Sequence, residues 1–527
     1  MRRYDAKPRY PAVGGDVETG LPPSPDGVLA IDGPAALPWD ALVRALPAGR
    51  IVDVRDSTRP WVEAGPADPA FARAPNGSLA DLVAELPPVE PPAVVIGPGA
   101  ALVPHDELWY ADVPKRLALA AVRAGRASNL GQPPSARGSE RLLVYVDWPL
   151  QDRQRQELVP RIDHYLDLTD PDRPRRLSGP ALRATLAALA GRPFRTRPAF
   201  LPGPWGGQWL RRRLGVESDG PNVAWSYELI ATEAGILVDE LEVSFDFLLA
   251  QESERVLGAE VAARFGTSFP IRFDYLDTVD GGHLSIQCHP REEYMAEVFG
   301  LPYTQLESYY VVDTTPGATI FLGLRHDTDV ASFENAARAA LGGEPFEPEE
   351  HIQTHQAERH RLYAIPAGTV HASGAGNLVL EISATPYLYT LRFYDWLRRD
   401  LDERLRPVHL DHAFANLDPS RRGEAVRRDL IQEPRVLRAG DGWSELQLGV
   451  LPELFYAVHR LDFESAIEDE TGGRFHVLNL VEGHEAVIET EAGDGHPLAY
   501  AETIVVPAAV GRYRIRGRGK AVKAFVR

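Results

Sequence analysis

The residues best suited to chemistry lie in one short run, residues 284–290, which reads Leu-Ser-Ile-Gln-Cys-His-Pro. In a β-strand successive side chains point to opposite faces, so Ser285, Gln287 and His289 would share one face and Cys288 the other. The run therefore predicts a strand that presents an amide oxygen and an imidazole side by side, and both groups can bind a metal. A half-buried strand with an ordinary histidine explains the same run equally well.

Two further donors follow downstream in similar settings. Glu307 precedes a strand-like run that ends in a Pro-Gly turn at 316–317, and His371 lies in a turn-rich stretch at 365–376. Together with Gln287 and His289, they would supply two imidazole nitrogens and two oxygens. This set suits a divalent first-row metal, zinc by default, and leaves room for a water or a substrate oxygen.

Several motifs follow one another along residues 197–527. They are Arg-Pro-Ala-Phe-Leu-Pro-Gly-Pro-Trp-Gly-Gly (197–207), Ala-Trp-Ser (224–226), Phe-Pro-Ile-Arg-Phe-Asp-Tyr-Leu-Asp (269–277), the Gln-Cys-His-Pro strand, the Glu307 segment, Pro-Ala-Gly-Thr-Val-His (366–371) and Leu-Arg-Phe-Tyr-Asp-Trp (391–396). In these motifs and their order the region resembles the type I mannose-6-phosphate (phosphomannose) isomerases, which are zinc enzymes with two cupin barrels. The resemblance implies a mainly β fold, a double cupin (jelly roll) with helical insertions.

The resemblance also implies residue roles. The four donors Gln287, His289, Glu307 and His371 fall on the family's metal-ligand positions. Glu381 and Arg392 fall on its proton-transfer and substrate-binding positions. Aldose–ketose interconversion moves a proton between C1 and C2 through an enediol. A metal can stabilise the developing charge, and a carboxylate can shuttle the proton.

Simpler roles remain open for both residues. Glu381 could be a paired strand carboxylate, and Arg392 could form an ion pair with Asp395.

Departures from the family pattern bear on the substrate. Gln305 and Asp274 stand where many members carry lysines, and residues 382–391 are apolar and aromatic where members are polar. Lysines near a sugar-phosphate pocket commonly serve the phosphate or the proton transfer, so the metal site is better supported than turnover of mannose 6-phosphate.

Two functions therefore follow. The first is a metal-dependent aldose–ketose isomerase acting on mannose 6-phosphate or a related sugar. The alternative is a metal-retaining, catalytically reduced sugar-binding or regulatory protein. The distinguishing feature is whether Arg272, Arg325 or Arg392 converge on the pocket to replace the lysines.

Composition excludes several other classes of protein. The chain has 527 residues, with 56 basic and 75 acidic side chains and a net charge of −19, which disfavours nucleic acid and anionic membranes as partners. No apolar run approaches the roughly 18 residues of a membrane span, and the start lacks a hydrophobic signal core. A single cysteine, Cys288, agrees with a cytoplasmic location and is interpreted as core filler.

The first 195 residues lie outside the isomerase resemblance. A Pro/Gly-rich leader (1–26) precedes a region (27–195) in which strand-like runs at 27–34, 51–54, 93–96 and 142–146 alternate with helix-like stretches at 39–46 and 180–189. This alternation predicts an α/β layer with a parallel sheet. The Ile-Asp-Gly-Pro start resembles uridine-kinase-like P-loop proteins. However, residues 35–40 read Ala-Ala-Leu-Pro-Trp-Asp and lack the Lys and Ser/Thr of a phosphate loop, so we expect a degenerate, non-catalytic domain.

The isomerase-like region divides into two predicted barrels. Residues 196–404 form the metal-binding cupin, with helical inserts at 291–299 and 330–341, and residues 405–527 form a second cupin without metal. His476 and His484 lie in this second barrel without an ordered set of further donors in sequence. The sequence leaves the oligomeric state open.

Overall fold

The computed structural model describes residues 3–47, 49–63, 68–344, 346–384 and 387–527. Within these ranges no helix is both long enough and apolar enough to cross a membrane.

The N-terminal part is an α/β layer built on one seven-stranded sheet. Its elements are β1 (Arg9–Tyr10), β2 (Glu18–Thr19), β3 (Val28–Asp32), α1 (Trp39–Ala45), β4 (Ile51–Asp53), β5 (Ala93–Ile96), β6 (Glu107–Asp112), α2 (Lys115–Arg123), α3 (Glu140–Leu142), α4 (Trp148–Leu158), β7 (His164–Asp167), β8 (Arg175–Ser178) and α5 (Gly179–Leu189). The sheet order is β2-β8-β7-β6-β3-β5-β4, and its five strands from β3 to β7 are mutually parallel. Strands β3 and β5 are buried throughout, as expected when helices cover both faces of a parallel sheet.

The predicted strands at 27–34, 51–54 and 93–96 and both predicted helices are confirmed, but the predicted strand at 142–146 is wrong. This run is helical, because α3 passes through a π-helical turn (Leu143–Asp147) directly into α4. A short apolar run cannot be told from a buried helical segment by periodicity alone. Residues 8–26, predicted to be a loose leader, contribute β1 and β2, which pair with strands of two different sheets.

The central part holds the strands that carry the candidate donors. Its elements are β9 (Ala199–Leu201), α6 (Trp209–Leu214), β10 (Trp225–Leu229), β11 (Gly235–Val238), β12 (Leu241–Ser244), α7 (Phe245–Leu257), α8 (Ala259–Phe265), β13 (Arg272–Asp277), β14 (Ile286–Cys288), α9 (Glu292–Tyr294), β15 (Leu306–Thr314), β16 (Thr319–Leu324), α10 (Val330–Ala340), β17 (Ile352–Gln356), β18 (Leu362–Ile365), β19 (His371–Ser373), β20 (Asn377–Ala384) and β21 (Leu391–Tyr394).

Two sheets of this part supply the candidate donors. One has six strands in the order β18-β15-β20-β13-β10-β9, and the other has five in the order β17-β16-β19-β14-β21. Two antiparallel sheets with side chains meeting between them form a jelly-roll barrel, so the cupin-like expectation is confirmed for this part. Helices α9 and α10 lie where inserts were expected, and α9 continues into a π-helical turn (Met295–Phe299).

The C-terminal part is a sheet of eight strands. Its elements are α11 (Leu410–Asn416), α12 (Glu424–Leu430), β22 (Arg435–Gly440), β23 (Trp443–Gly449), β24 (Tyr456–Phe463), β25 (Ala466–Glu470), β26 (His476–Thr490), β27 (Gly495–Ala499), β28 (Thr503–Val506) and β29 (Arg512–Val526). The two 15-residue strands β26 and β29 pair with each other, and each also pairs with two shorter strands.

Two of the several places where the N-terminal part packs on the central part are built on tyrosines. At one, the Tyr165 hydroxyl donates to the carbonyl of Glu242 (2.8 Å), and Lys115 pairs with Asp246 (3.4 Å). At the other, Phe71 stacks on Tyr389 with ring centroids 5.5 Å apart. Tyr389 lies in the segment that joins β20, which carries Glu381, to β21, which carries Arg392, so the N-terminal part contacts the chain between these two strands.

Candidate metal centre

Three of the four predicted donors meet between the two sheets of the central barrel. His289 follows β14 and His371 begins β19, while Glu307 comes from β15 in the opposite sheet. Glu307 Oε2 lies 2.7 Å from His289 Nε2 and 3.0 Å from His371 Nε2. All three side chains are buried, and within the described ranges they form the one group of three donors close enough to share an ion.

Backbone carbonyls orient the two imidazoles toward the carboxylate of Glu307. His289 Nδ1 lies 3.2 Å from the carbonyl of Tyr389, and His371 Nδ1 lies 2.8 Å from the carbonyl of Thr369. A carbonyl only accepts, so each Nδ1 donates to it, and Nε2 of each ring is left to face Glu307 Oε2. Two imidazole nitrogens and a carboxylate oxygen that converge in this way are donors that a divalent first-row metal binds. The donor set therefore fits a metal.

Gln287 lies beside these donors and could complete the set. It sits directly opposite His371 in the sheet, and its Nε2 is 3.4 Å from His371 Nε2. Its Oε1 accepts a hydrogen bond from the Ser285 hydroxyl at 2.8 Å. The two amide orientations have almost the same shape. Rotating the amide would turn Oε1 toward the histidines and let Nε2 donate to Ser285.

A second carboxylate lies against the ligand set. Burial, with the neighbouring carboxylates of Asp274 and Glu307, raises the pKa of Glu381 well above its ordinary value. Burial would also raise the pKa of Glu307, but the two imidazoles beside it hold this pKa well below its usual range. A hydrogen bond joins Glu381 to Glu307. The site therefore contains one carboxylate suited to bind a cation and another suited to carry a proton.

Cross-strand register explains why these groups meet. In the six-stranded sheet Glu381 lies opposite both Asp274 and Tyr309, so the three side chains share the face that Glu307 also occupies. Arg272 lies opposite Ser383 one row further along the same face. Three acids and one arginine thus line the inner wall of the barrel.

Several polar atoms around this wall are buried without a hydrogen-bond partner among the described residues. They are Arg272 Nε and Nη1, Asp274 Oδ1, Gln305 Oε1, Thr369 Oγ1 and Ser383 Oγ. Burying a polar group without a hydrogen-bond partner costs free energy, and such groups are rare in native proteins. Their grouping around the His–Glu–His set indicates an internal space for water or a polar ligand.

The two positions at which many members of the family carry lysines both lie inside this space. Gln305 and Asp274 are 2% exposed, and burial raises the pKa of Asp274 to about 7 although Arg272 opposes the shift. Arg272 is 3% exposed and lies on the same face of its strand as Asp274. Of the three arginines named from the sequence, Arg272 is the one that the fold places inside the barrel.

The other two arginines lie further out. Arg392 is opposite Gln287 in the neighbouring strand, and its side chain is 19% exposed. Its Nη1 donates to the carbonyl of Pro407 at 3.3 Å, and its Nε is 3.9 Å from Asp395. Burial and the nearby Arg406 lower the pKa of Arg392 to about 10. Arg325 is half exposed beside Asp327, 3.5 Å away.

Cys288 lies on the opposite face of its strand, as predicted. It is fully buried, its Sγ points to the carbonyl of Ala413 at 3.7 Å, and burial raises the pKa of its thiol strongly. A thiol in this position packs as a small apolar group.

Curated relatives match the region that contains this site. The chain is 22% identical over 331 residues to the mannose-6-phosphate isomerase ManA of Bacillus subtilis, covering 63% of this chain and 98% of the relative. It is 22% identical over 322 residues to the mannose-6-phosphate isomerase of Streptococcus mutans, covering 59% and 92%. The chain is a relative of the mannose-6-phosphate isomerases.

Solved structures agree on the fold. The crystal structure of the mannose-6-phosphate isomerase from Bacillus subtilis superposes with a TM-score of 0.53 at 20% identity, covering 63% of this chain and 99% of that chain. The barrel that positions His289, Glu307 and His371 is thus the fold of a mannose-6-phosphate isomerase.

The N-terminal part matches a different family model. Residues 67–191 match a domain family of unknown function, DUF8485. This match covers the segments that pack against Tyr389, a contact that the sequence did not predict. No local pattern marks it, since Phe71 and Tyr145 are more than 240 residues from Tyr389 and look like ordinary core residues.

Proposed function

We propose that the chain is a metal-dependent aldose–ketose isomerase of the mannose-6-phosphate isomerase type, with zinc as its metal. The observation that carries the proposal is the convergence of His289 Nε2, His371 Nε2 and Glu307 Oε2 beside the protonatable Glu381. Gln287 supplies the fourth ligand through Oε1. A cation in this set would stabilise the negative charge that develops on the sugar oxygens as a proton leaves carbon.

The remaining residues move the proton and hold the sugar. Glu381 takes the proton from one of C1 and C2 and returns it to the other, and its raised pKa suits a group that must both accept and release a proton. Arg272, deep in the barrel beside Asp274, offsets part of the negative charge of three acids. The buried wall keeps bulk water from the reacting carbons.

Arg392 is the candidate for recognition of a phosphate. A phosphorylated sugar would enter with its reactive end toward the metal, which leaves the phosphate near the mouth, where Arg392 is partly exposed. Arg392→Met should therefore raise KM for mannose 6-phosphate more than tenfold and leave KM for free mannose almost unchanged. Equal losses for both sugars would mean that Arg392 does not bind the phosphate.

The proposal is tested by a coupled isomerase assay on zinc-loaded protein with mannose 6-phosphate, mannose and other free and phosphorylated aldoses. We expect turnover of at least one aldose, its loss after chelation and its return with zinc. Sugar binding without turnover of any aldose would instead support the sugar-binding or regulatory alternative. The cytoplasmic location also stays a proposal, to be checked by cell fractionation.

The degenerate-kinase description of the N-terminal part is likewise a proposal. The residues after β3 lack the Lys and Ser/Thr of a phosphate loop. The carboxylate of Asp32, at the end of β3, accepts hydrogen bonds from the backbone N–H groups of Gly33 and Ala101. We infer that this part supports the neighbouring barrel and performs no phosphoryl transfer.

A further inference from the structure

A second concave site lies in the C-terminal part, on the face of β24, β26 and β29. It encloses about 1,230 Å³ and is open to solvent. Its floor includes His459, His476, Lys523 and Phe525. A cavity of this size is large enough for a ligand bigger than one sugar ring, because typical ligand pockets enclose roughly 300–1,000 Å³.

This cavity marks a change of chemistry along one face of the sheet. Further along β24 and β26, Leu461 and Leu478 follow His459 and His476 at the two-residue spacing of one strand face, and both leucines belong to an apolar cluster. The inner face is thus filled with hydrocarbon at one end and is polar at the other. If this face served only as a packed core, its side chains would be apolar along the whole length of the strands.

The polar end is a connected network of buried groups. Lys523 Nζ contacts Glu445 Oε1 at 2.8 Å and Asp469 Oδ2 at 2.5 Å. His459 Nδ1 lies 2.6 Å from Glu445 Oε1, and the Tyr513 hydroxyl lies 3.0 Å from Asp469 Oδ2. Removing these charged groups from water costs about as much free energy as their ion pairs return, so such a network rarely adds net stability to a fold.

Each of the two histidines offers one ring nitrogen to the cavity. His459 Nδ1 must donate to Glu445, because a carboxylate only accepts. The Tyr513 hydroxyl gives its proton to Asp469, so it accepts one from His476 Nδ1 at 2.7 Å. Neither Nε2 has a hydrogen bond within the described part of the chain, so both remain available to a ligand. Burial lowers the pKa of His476 to about 3, so this ring stays neutral.

The charges of the site indicate a neutral ligand. Five basic and six acidic side chains line the cavity, which leaves almost no net charge to attract an ion. In the floor Lys523 and Arg438 are offset by Glu445 and Asp469.

Shape and polarity together indicate which neutral ligand fits. The ring of Phe525 lies between the histidines, with centroids 5.0 Å from His459 and 5.4 Å from His476. A sugar offers hydroxyl groups, which both donate and accept, at its edge and an apolar C–H face, and these match two imidazole nitrogens beside an aromatic ring.

We propose that this cavity, formed by His459, His476 and Phe525, is a binding site for a neutral carbohydrate with room for at least two sugar units. The site is separate from the His289–Glu307–His371 centre. The inference does not rest on the proposed isomerase function, since it uses none of that centre's residues.

Calorimetric titration of the full-length protein with mannobiose, cellobiose and maltose tests the proposal. We expect at least one of them to bind with a Kd of millimolar or below. Phe525→Leu and His459→Leu should each weaken this binding by about tenfold, which is the effect expected from loss of one good contact. His484→Leu is the matched control, because His484 lies exposed on β26 outside the cavity.

A second control separates the two sites. His371→Ala, which removes a donor of the metal centre, should leave disaccharide binding unchanged. The proposal would be overturned by three results. The first is that none of the three disaccharides binds at about 20 mM. The second is disaccharide binding that is lost in His371→Ala but kept in Phe525→Leu. The third is a second equivalent of bound zinc that is lost in His459→Leu.

Discussion

The Nδ1 atom of His289 lies 3.2 Å from the backbone carbonyl of Tyr389, so a residue outside the ligand set fixes how this imidazole faces the metal centre. Tyr389 is itself held by the N-terminal part. Its ring stacks on Phe71 and lies 4.7 Å from the ring of Tyr145, and its hydroxyl donates to the carbonyl of Ala72 at 3.3 Å. The α/β layer thus holds the residue whose backbone carbonyl orients His289.

This relationship predicts that a single hydroxyl in the N-terminal part affects metal binding. The Tyr145 hydroxyl donates to the carbonyl of Leu388 at 2.7 Å, next to Tyr389. Tyr145→Phe should weaken zinc binding by up to about tenfold, because groups that orient a ligand typically change affinity 10–100-fold. Competition with a chromophoric chelator measures the affinity.

Tyr165→Phe is the matched control for that prediction. Its hydroxyl makes the same kind of bond, to the carbonyl of Glu242 at 2.8 Å, at another contact between the two parts. Both variants should lose about 1 kcal/mol of stability, and only Tyr145→Phe should lose zinc affinity. Equal zinc affinity in the two variants would contradict a positioning role for the N-terminal part.

Metal content tests the ligand set itself. Purified protein should carry about one equivalent of a divalent metal at the centre, and His289→Ala or His371→Ala should remove most of it, because each change deletes one donor and the geometry around it. Gln287→Leu should weaken binding less, since two imidazoles and Glu307 remain. Elemental analysis measures the content, and full occupancy in His371→Ala would disprove the assignment.

The sequence predicted this centre only in part, for physical reasons. The alternation in residues 284–290 was enough to place Gln287 and His289 on one face, because strand geometry is local. Glu307 and His371 stood out only by their strand and turn settings, and the family resemblance was needed to place all four donors in one site, since register between distant strands leaves no mark in local spacing.

Other features depended on register in the same way. His459, His476 and Lys523 form one network, yet each stands alone on its strand, and His476 was predicted to lack partner donors in sequence. Residues 142–146 were wrongly predicted as a strand because a buried helix and a buried strand both look uniformly apolar.

That helical segment gives a prediction for stability against pH. Asp147 is 1% exposed, and burial raises its pKa from 3.8 to about 7. The folded chain therefore holds a proton on Asp147 between about pH 4 and pH 7 where the unfolded chain does not. By linkage, the stability from this group falls as pH rises through that window and is constant above it.

Asp147→Asn should remove this slope. Asp147 Oδ2 accepts hydrogen bonds from Asn129 Nδ2 at 2.7 Å and from the N–H of Leu130 at 3.3 Å, and an amide oxygen can accept both. The free energy of unfolding of the variant, relative to wild type, should rise by about 3 kcal/mol between pH 5 and pH 8, which is two pKa units of linkage below a folded-state pKa of about 7. Urea unfolding at several pH values measures it, with the exposed Glu140→Gln as control. A constant difference across this range would refute the expectation.

We expect that the N-terminal part does not bind nucleotide. The carboxylate of Asp32 accepts hydrogen bonds from the backbone N–H groups of Gly33 and Ala101, so these groups are not free to bind a phosphate. The loop after β3 also supplies no lysine. Calorimetric titration of the full-length protein with Mg-ATP should show no binding at millimolar concentration. A micromolar Kd would mean that this loop does bind phosphate.

The most direct test of the account is the rate of interconversion of mannose 6-phosphate and fructose 6-phosphate by zinc-loaded wild type and Glu381→Gln, compared at equal metal content. The glutamine keeps the size of Glu381 but cannot carry the proton, so the rate should fall by about 10²–10⁴. Circular dichroism and elemental analysis confirm that fold and zinc are retained. A wild type without activity on this or any other aldose, or a Glu381→Gln variant as active as wild type, would contradict the account.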